Sequence, residues 1–172
     1  MGTHNAVLRL GARTYLELIA IDPNAPTPSR PRWFGLDEAA VQKRASSAPF
    51  LASWVVACTD IAAAAQRVPE LGEIVALSRG MLSWRITIPA DGRLPLGGAL
   101  PAVIQWDDAI HPCDALEDRG CALKRLRIVH PRADFLRAEL LALGLDAPYE
   151  VEPGELALVT RIDTPRGEAS LS

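Results

Sequence analysis

Residues 50–107, FLASWVVACTDIAAAAQRVPELGEIVALSRGMLSWRITIPADGRLPLGGALPAVIQWD, contain the pattern that decides the fold. A continuous apolar run, typical of a strand buried on both faces, is followed by a Thr-Asp pair suited to capping an alanine-rich helix. Three further β-prone runs follow, separated by turn residues, so the predicted order is β-α-β-β-β. The predicted elements are Phe50–Cys58, Ile61–Val68, Glu73–Leu77, Met81–Ile88 and Pro101–Asp107.

Upstream of this block, two alternating runs predict a β-hairpin. Asn5–Leu10 and Thr14–Ile21 flank a turn that contains Gly11. Because side chains alternate between the faces of a strand, Glu17 shares a face with Tyr15 and with two isoleucines. One carboxylate therefore lies on an otherwise apolar face.

A proline-rich connection, DPNAPTPSRP at residues 22–31, separates the hairpin from the main block. Its four prolines favour an extended, irregular path. Asp37 then predicts the N-cap of a short helix through Ala45. The connection is either a surface linker or a lid whose Trp33 and Phe34 fold over a pocket.

Downstream, the β-α order begins again. Cys121–Val129 alternates as a strand, and Pro131–Leu143 has helical spacing of its apolar residues, with Gly144 as a stop signal. Three short strands complete the prediction, and they are Tyr149–Val151, Glu155–Ile162 and Glu168–Leu171.

The predicted organisation is one compact domain built from three blocks. Residues 1–48 form the remnant of a first module with the proline-rich loop, residues 49–112 a complete βαβββ module, and residues 113–172 a partial βαβ-like module. The fold class is α+β, with repeated βαβββ modules forming a cupped, mostly antiparallel sheet with flanking helices. No G-x-G-x-x-G or P-loop motif occurs, which argues against a doubly wound nucleotide-binding fold.

Composition excludes several broad classes. The net charge of −3 and the pI of about 5.6 argue against a nucleic-acid partner. No apolar run reaches the roughly 18 residues of a membrane-spanning helix, so no membrane partner is predicted. The three cysteines, Cys58, Cys113 and Cys121, lack CxxC spacing and indicate reduced thiols in the cytoplasm.

Several segments, met in order along most of the chain, resemble the glyoxalase-like family of the vicinal-oxygen-chelate superfamily. The segments are GTHN at 2–5, YLELIAID at 15–22, SRPRWFGLD at 29–37, LSRGMLSWRITIPADG at 77–92, LPAVIQWD at 100–107 and TPRG at 164–167. The resemblance implies paired modules around a cup, with metal ligands supplied by the first and last strands of each module. Glu17 then stands at a carboxylate position, Gln105 near the second carboxylate position, and Trp54 near a histidine position.

These departures from the family pattern disfavour a divalent metal, and the sequence identifies no cofactor. An open catalytic metal site needs about three protein ligands, whereas these positions offer one carboxylate, one amide and one indole. The resemblance also implies a strand and a helix before Met1. Either the natural chain is longer, or the sheet edge left open is covered, for instance in a homodimer.

The candidate catalytic residues are Glu17 and His4. Glu17 is either a base or ligand in the cup, or a structural partner of Arg9 or Arg85. His4 and its neighbour Asn5 are either a hydrogen-bonding pair at a strand start or part of the pocket. The candidate substrate-binding residues are Asn5, Trp33, Arg79, Arg85, Gln105 and His111.

The reasons for these binding candidates differ. Arg79 and Arg85 are either packed on an aromatic ring or form a guanidinium clamp for an anion. Gln105 and Trp106 alternate, so only one of them faces the cup. His111 lies in a loop where the ordinary expectation is an exposed, neutral imidazole.

Three functions remain open for this sequence. The first is an enzyme of lyase, isomerase or dioxygenase type that binds a small molecule in the cup, with Glu17 as base or ligand. The second is a metal-free protein that binds or sequesters a small molecule. The third is a shortened, inactive relative of the family.

Overall fold

The computed structural model describes residues 1–107, 110–145 and 149–172, and over these residues the fold is α+β, as predicted. The strands are β1 Thr3–Arg9, β2 Tyr15–Ile21, β3 Val55–Ala57, β4 Glu73–Arg79, β5 Leu82–Ile88, β6 Ala102–Trp106, β7 Ala122–His130, β8 Tyr149–Pro153, β9 Ala157–Thr164 and β10 Gly167–Leu171. The helices are α1 Ala39–Ser47, α2 Ile61–Arg67, α3 Pro112–Ala115 and α4 Ala133–Ala142. No helix within these residues has the length and apolar composition needed to cross a membrane.

The predicted hairpin is confirmed. β1 and β2 pair antiparallel as a two-stranded sheet, with Val7 opposite Glu17 and His4 opposite Ala20. This register places Asn5 and Glu17 on one face, because residues two apart along a strand and residues directly opposite share a face. We call this face of the hairpin its inner face.

The central sheet has the strand order β3-β6-β5-β4, and α2 connects its two edge strands. β3 runs parallel to β6, while β5 pairs antiparallel with both β4 and β6. The predicted β-α-β-β-β order of residues 50–107 is confirmed. Asp60 accepts a hydrogen bond from the Ala63 amide at 3.0 Å and caps α2, as the Thr-Asp signal predicted.

β3 is shorter than predicted, because the prediction extended the strand over the whole apolar run from Phe50 to Cys58. The chain over residues 50–53 packs against the loop before β6 instead of joining the sheet. A Cβ atom at Gly98 would lie 2.0 Å from the Ala52 carbonyl oxygen, so the two backbones are in close contact there.

Asp37 does not cap α1, which corrects the predicted helix start. Its carboxylate accepts hydrogen bonds from the Arg32 amide at 2.8 Å and from the Arg32 guanidinium at 2.7 Å. These bonds, the backbone one foremost, hold the pKa of Asp37 below its usual value. α1 begins instead at Ala39, after Glu38, whose side chain makes no capping bond.

The third sheet has the strand order β10-β9-β7-β8, in which α4 links the parallel pair β7 and β8. The first and second strands of this block are thus neighbours, whereas the corresponding strands β3 and β4 occupy opposite edges of the central sheet. The same order of elements along the chain is therefore paired in two different ways.

Two apolar clusters lie on opposite faces of the central sheet. The first joins α2, α4 and the facing residues of β6 and β7, with Val68, Leu71, Val103, Ile128, Leu136 and Leu140 at its centre. The second covers the other face, where Trp84, Ile86 and Ile104 contact Trp33, and Ile19 of the hairpin packs against this cluster. The hairpin and α2 consequently cover opposite faces of the sheet.

Candidate functional site

The inner face of the hairpin lies against the sheet face that bears Trp84 and Trp106, and we call the open, partly exposed surface along this contact the cup. The hairpin is joined to this part of the sheet by Ile19, which packs in the same cluster as Trp84. Strand alternation places Tyr15 and Glu17 on the same inner face as Ile19. The cup is thus where the one carboxylate of that face is located.

Arg79, Asn5 and Glu17 form a chain of polar contacts at the cup, here called the polar cluster. Arg79, the last residue of β4, donates from Nη1 to Asn5 Oδ1 at 2.6 Å and from Nη2 to the Thr3 carbonyl at 3.4 Å. Asn5 in turn donates from Nδ2 to Glu17 Oε1. The guanidinium therefore orients the amide, and the amide orients the carboxylate.

A continuous row of rings lies beside the polar cluster, and we call it the aromatic row. Ring centroids are separated by 5.6 Å between Trp84 and Trp106, 5.5 Å between Trp106 and His111, and 5.8 Å between His111 and Tyr15. These separations are typical of tilted and edge-to-face ring contacts. The row supplies a largely aromatic surface of mutually tilted rings, with its Tyr15 end next to Glu17.

Tyr15 and Glu17 lie two residues apart on β2, close enough for the carboxylate charge to affect the pKa of the phenol. Burial foremost, and then the negative charges of Glu17 and of a Cys113 thiolate, together raise the pKa of the Tyr15 phenol to about 12. Tyr15 therefore stays a neutral hydrogen-bond donor across the physiological pH range. The sequence predicted that Tyr15 and Glu17 share one face of the strand, but it did not predict a role for Tyr15 in the site.

His4 does not meet Glu17. It lies on the outer face of the hairpin, opposite Ala20, and is exposed. Because a strand turns successive side chains to opposite faces, His4 and its neighbour Asn5 cannot both face the cup. The structure brings Asn5 to Glu17 and places the candidate catalytic histidine on the other side.

Gln105 and Arg85 lie on the helix face of the central sheet, away from the cup. Gln105 Oε1 accepts a hydrogen bond from the Ile61 amide at 2.9 Å and so helps to cap α2. Arg85 donates from Nε to Asp107 Oδ1 at 3.0 Å. Trp106, the alternative to Gln105 in the sequence, is the residue that faces the cup.

His111 is a buried residue at the start of α3, which corrects the expectation of an exposed loop histidine. Its side chain is only 5% exposed, Nδ1 accepts from the Cys113 amide at 3.2 Å, and its own amide donates to Asp114 Oδ2 at 2.8 Å. Burial, followed by the charge of Arg13, lowers the pKa of His111, and Asp114 opposes that shift. The ring of His111 belongs to the aromatic row, and its Nδ1 atom caps α3.

Trp33 belongs to the core and does not close over the site as a lid. It is 6% exposed, stacks on Phe34 with ring centroids 5.3 Å apart, and contacts the cluster around Trp84. Of the predicted substrate-binding residues, only Asn5 and Arg79 are brought to Glu17. His111 and Trp33 contribute ring surface behind the site.

The residues around Glu17 do not fit a divalent metal. In the part of the chain that the structure describes, no three His, Cys, Asp or Glu side chains stand close enough together to hold one. The neighbours of Glu17 are an amide and, behind it, a guanidinium, and a cation at that place repels a second cation.

Comparison with protein families identifies the chain as a member of the glyoxalase-like domain family, whose model matches residues 1–144. This membership is consistent with the vicinal-oxygen-chelate superfamily. The matched region contains the hairpin, the central sheet and α4, and so includes the whole polar cluster; β8, β9 and β10 lie beyond it. Comparisons with curated proteins and with solved structures found no match.

Proposed function

We propose that this glyoxalase-like protein binds a small aromatic molecule with a hydroxyl or amine group in the cup, without a metal. The observation that carries the proposal is the position of the Glu17 carboxylate, which Asn5 holds beside the aromatic row. Oε2 of Glu17 accepts no hydrogen bond from the described residues, so this oxygen is available to a ligand donor.

The aromatic row can contact the ring of such a ligand, and the Glu17 carboxylate can accept a hydrogen bond from its hydroxyl or amine group. Ring contacts with Trp106 or Tyr15 stabilise an aromatic ligand by about 0.5–1.5 kcal/mol beyond the burial of apolar area. A hydrogen bond to a carboxylate contributes about 1.5–3 kcal/mol. Because Arg79 and Asn5 already orient the carboxylate, little side-chain entropy is lost when the ligand binds.

Binding is the function that this geometry supports better than the metal-dependent reactions implied by the family resemblance. Glu17 has a carboxylate that can accept a proton, and its role as a base stays a prediction. A homodimer and a cytoplasmic location also stay predictions. The outer face of the hairpin carries Leu18, which is 58% exposed.

The test uses catechol as the probe, an aromatic ring with two hydroxyl donors, and isothermal titration calorimetry as the measurement. Glu17→Gln keeps the shape of the side chain and removes its charge. We expect the affinity for catechol to fall by about tenfold or more, since 1.4 kcal/mol corresponds to a factor of ten.

Glu70→Gln is the matched control, because Glu70 is exposed and lies outside the cup. It should leave catechol affinity unchanged, and added Mn²⁺ should have no effect on the wild-type protein. Equal affinities for wild type and Glu17→Gln would contradict the proposal, as would catechol binding that requires Mn²⁺.

A further inference from the structure

A second concavity lies between α1 and the beginning of β9, and we call it the α1–β9 cavity. Its volume is about 490 Å³, which falls within the range of roughly 300–1,000 Å³ found for small-molecule sites. Its walls come from Gly35 and Glu38, from α1, from residues 50–52, from Arg93, Leu94 and Gly97, from residues 156–158 and from Ser172. None of the residues of the polar cluster or the aromatic row lines it.

The cavity leaves α1 only lightly packed on its inner side. No residue of α1 is buried, although Ala40 and Val41 line the cavity. The opposite wall is apolar and includes Leu94, Leu158 and Leu156, the last of which is 43% exposed. Apolar side chains thus face each other across a space that the protein does not fill.

Among the residues that the structure describes, one positive group at the cavity has no ion-pair partner. Arg93 Nε lies 2.7 Å from Glu38 Oε1, so these two charges compensate each other. Arg44 is placed over the ring of Phe50, with Cζ 4.0 Å from the ring centroid. No carboxylate among the described residues forms an ion pair with Arg44, and its guanidinium edge remains available for an anion.

We infer that the α1–β9 cavity binds an organic monoanion with an apolar body, such as a medium-chain carboxylate. The apolar chain fills the space between Val41 and the leucine wall, and the carboxylate pairs with Arg44. Burial of apolar area drives this binding, and the ion pair selects the anion over a neutral analogue. The ligand also adds packing to the inner side of α1.

The test compares decanoate with decanol, which has the same chain and no charge, by isothermal titration calorimetry. Arg44→Gln should weaken decanoate binding by about tenfold and leave decanol binding unchanged. Arg67→Gln is the matched control, because Arg67 occupies the last turn of α2 as Arg44 occupies the last turn of α1. It should change neither affinity.

A steric variant provides a second readout. Val41→Trp places an indole in the cavity and should abolish binding of both probes, while the thermal unfolding midpoint changes little because α1 has no buried residue. Decanoate should also slow hydrogen exchange of the α1 amides. Absence of decanoate binding to the wild type, or equal decanoate affinity in Arg44→Gln, would overturn the inference.

The two proposals fail independently. Glu17→Gln alters the cup and should leave decanoate binding unchanged. If Glu17→Gln and Arg44→Gln both weakened decanoate binding equally, the anion would not be assigned to the α1–β9 cavity.

Discussion

At the scale of a residue, the face on which Glu17 lies was predictable from the sequence, but its hydrogen-bond partners were not. Alternation along β2 predicted its face, and Arg9 and Arg85 were the expected structural partners. Arg9 instead donates to the Gly11 carbonyl at 3.1 Å and to the Leu116 carbonyl at 3.5 Å, while Arg85 lies on the far face of the central sheet. Only the packing of the hairpin on β4 brings Arg79 to Asn5 and so to Glu17.

The buried imidazole of His111 predicts an acid-sensitive stability. Its folded-state pKa lies below the usual 6.5, so the stability it contributes is complete above pH 6.5 and is lost as the pH falls toward the folded-state pKa. The physical reason is that, as the pH falls, His111 takes up a proton in the unfolded chain at a higher pH than in the folded chain, and this uptake stabilises the unfolded state. Chemical denaturation from neutral pH to roughly pH 5 should show a falling free energy of unfolding.

His111→Asn is the appropriate comparison, because an asparagine oxygen can still cap α3 but does not titrate. The variant should lose less stability than the wild type over the same pH interval, whatever its absolute stability. The same pH slope in both proteins would contradict the assignment of this titration to His111.

At the scale of an element, local patterns predicted most helix and strand positions well. β5, for instance, was predicted over Met81–Ile88 and found at Leu82–Ile88. The largest error was β3, because an apolar run indicates burial but does not distinguish strand pairing from contact with a loop. The start of α1 was also wrong, since Asp37 has a stronger partner in Arg32 than in the helix amides.

Gln105 is predicted to stabilise α2 and not to bind ligand. Gln105→Met removes the acceptor for the Ile61 amide while keeping a side chain of similar size. The free energy of unfolding should fall by about 1 kcal/mol, as is typical for the loss of a capping bond. Urea denaturation measures this change, and catechol affinity should stay the same. If Gln105→Met lost catechol binding and kept its stability, the prediction would be wrong and Gln105 would be a ligand-binding residue.

At the scale of the whole molecule, the central and third sheets share one apolar core. Val103 of the central sheet, Ile128 of the third sheet and Leu140 of α4 belong to the same buried cluster. Elements far apart along the chain therefore contribute to a common core, and we expect them to unfold together.

Leu136→Ala tests this shared core. Leu136 is completely buried in α4, so its truncation should lower the free energy of unfolding by about 2–5 kcal/mol. Tryptophan fluorescence, which reports Trp33, Trp54, Trp84 and Trp106 together, and far-ultraviolet circular dichroism should give coincident transitions. Leu141→Ala, at a residue of the same helix that is 78% exposed, should change stability by less than about 0.5 kcal/mol. Two separated transitions would show that the sheets unfold independently.

The sequence alone determined the α+β class, the hairpin, the β-α-β-β-β order of the central block and the inner face of Glu17, because these follow from periodicity and turn signals that act over a few residues. Tertiary structure alone decided that Trp106 and not Gln105 faces the cup, that His4 points away, and that β7 pairs with β8. It also created the α1–β9 cavity. Such features depend on which distant surfaces meet, and no short-range pattern in the chain records that choice.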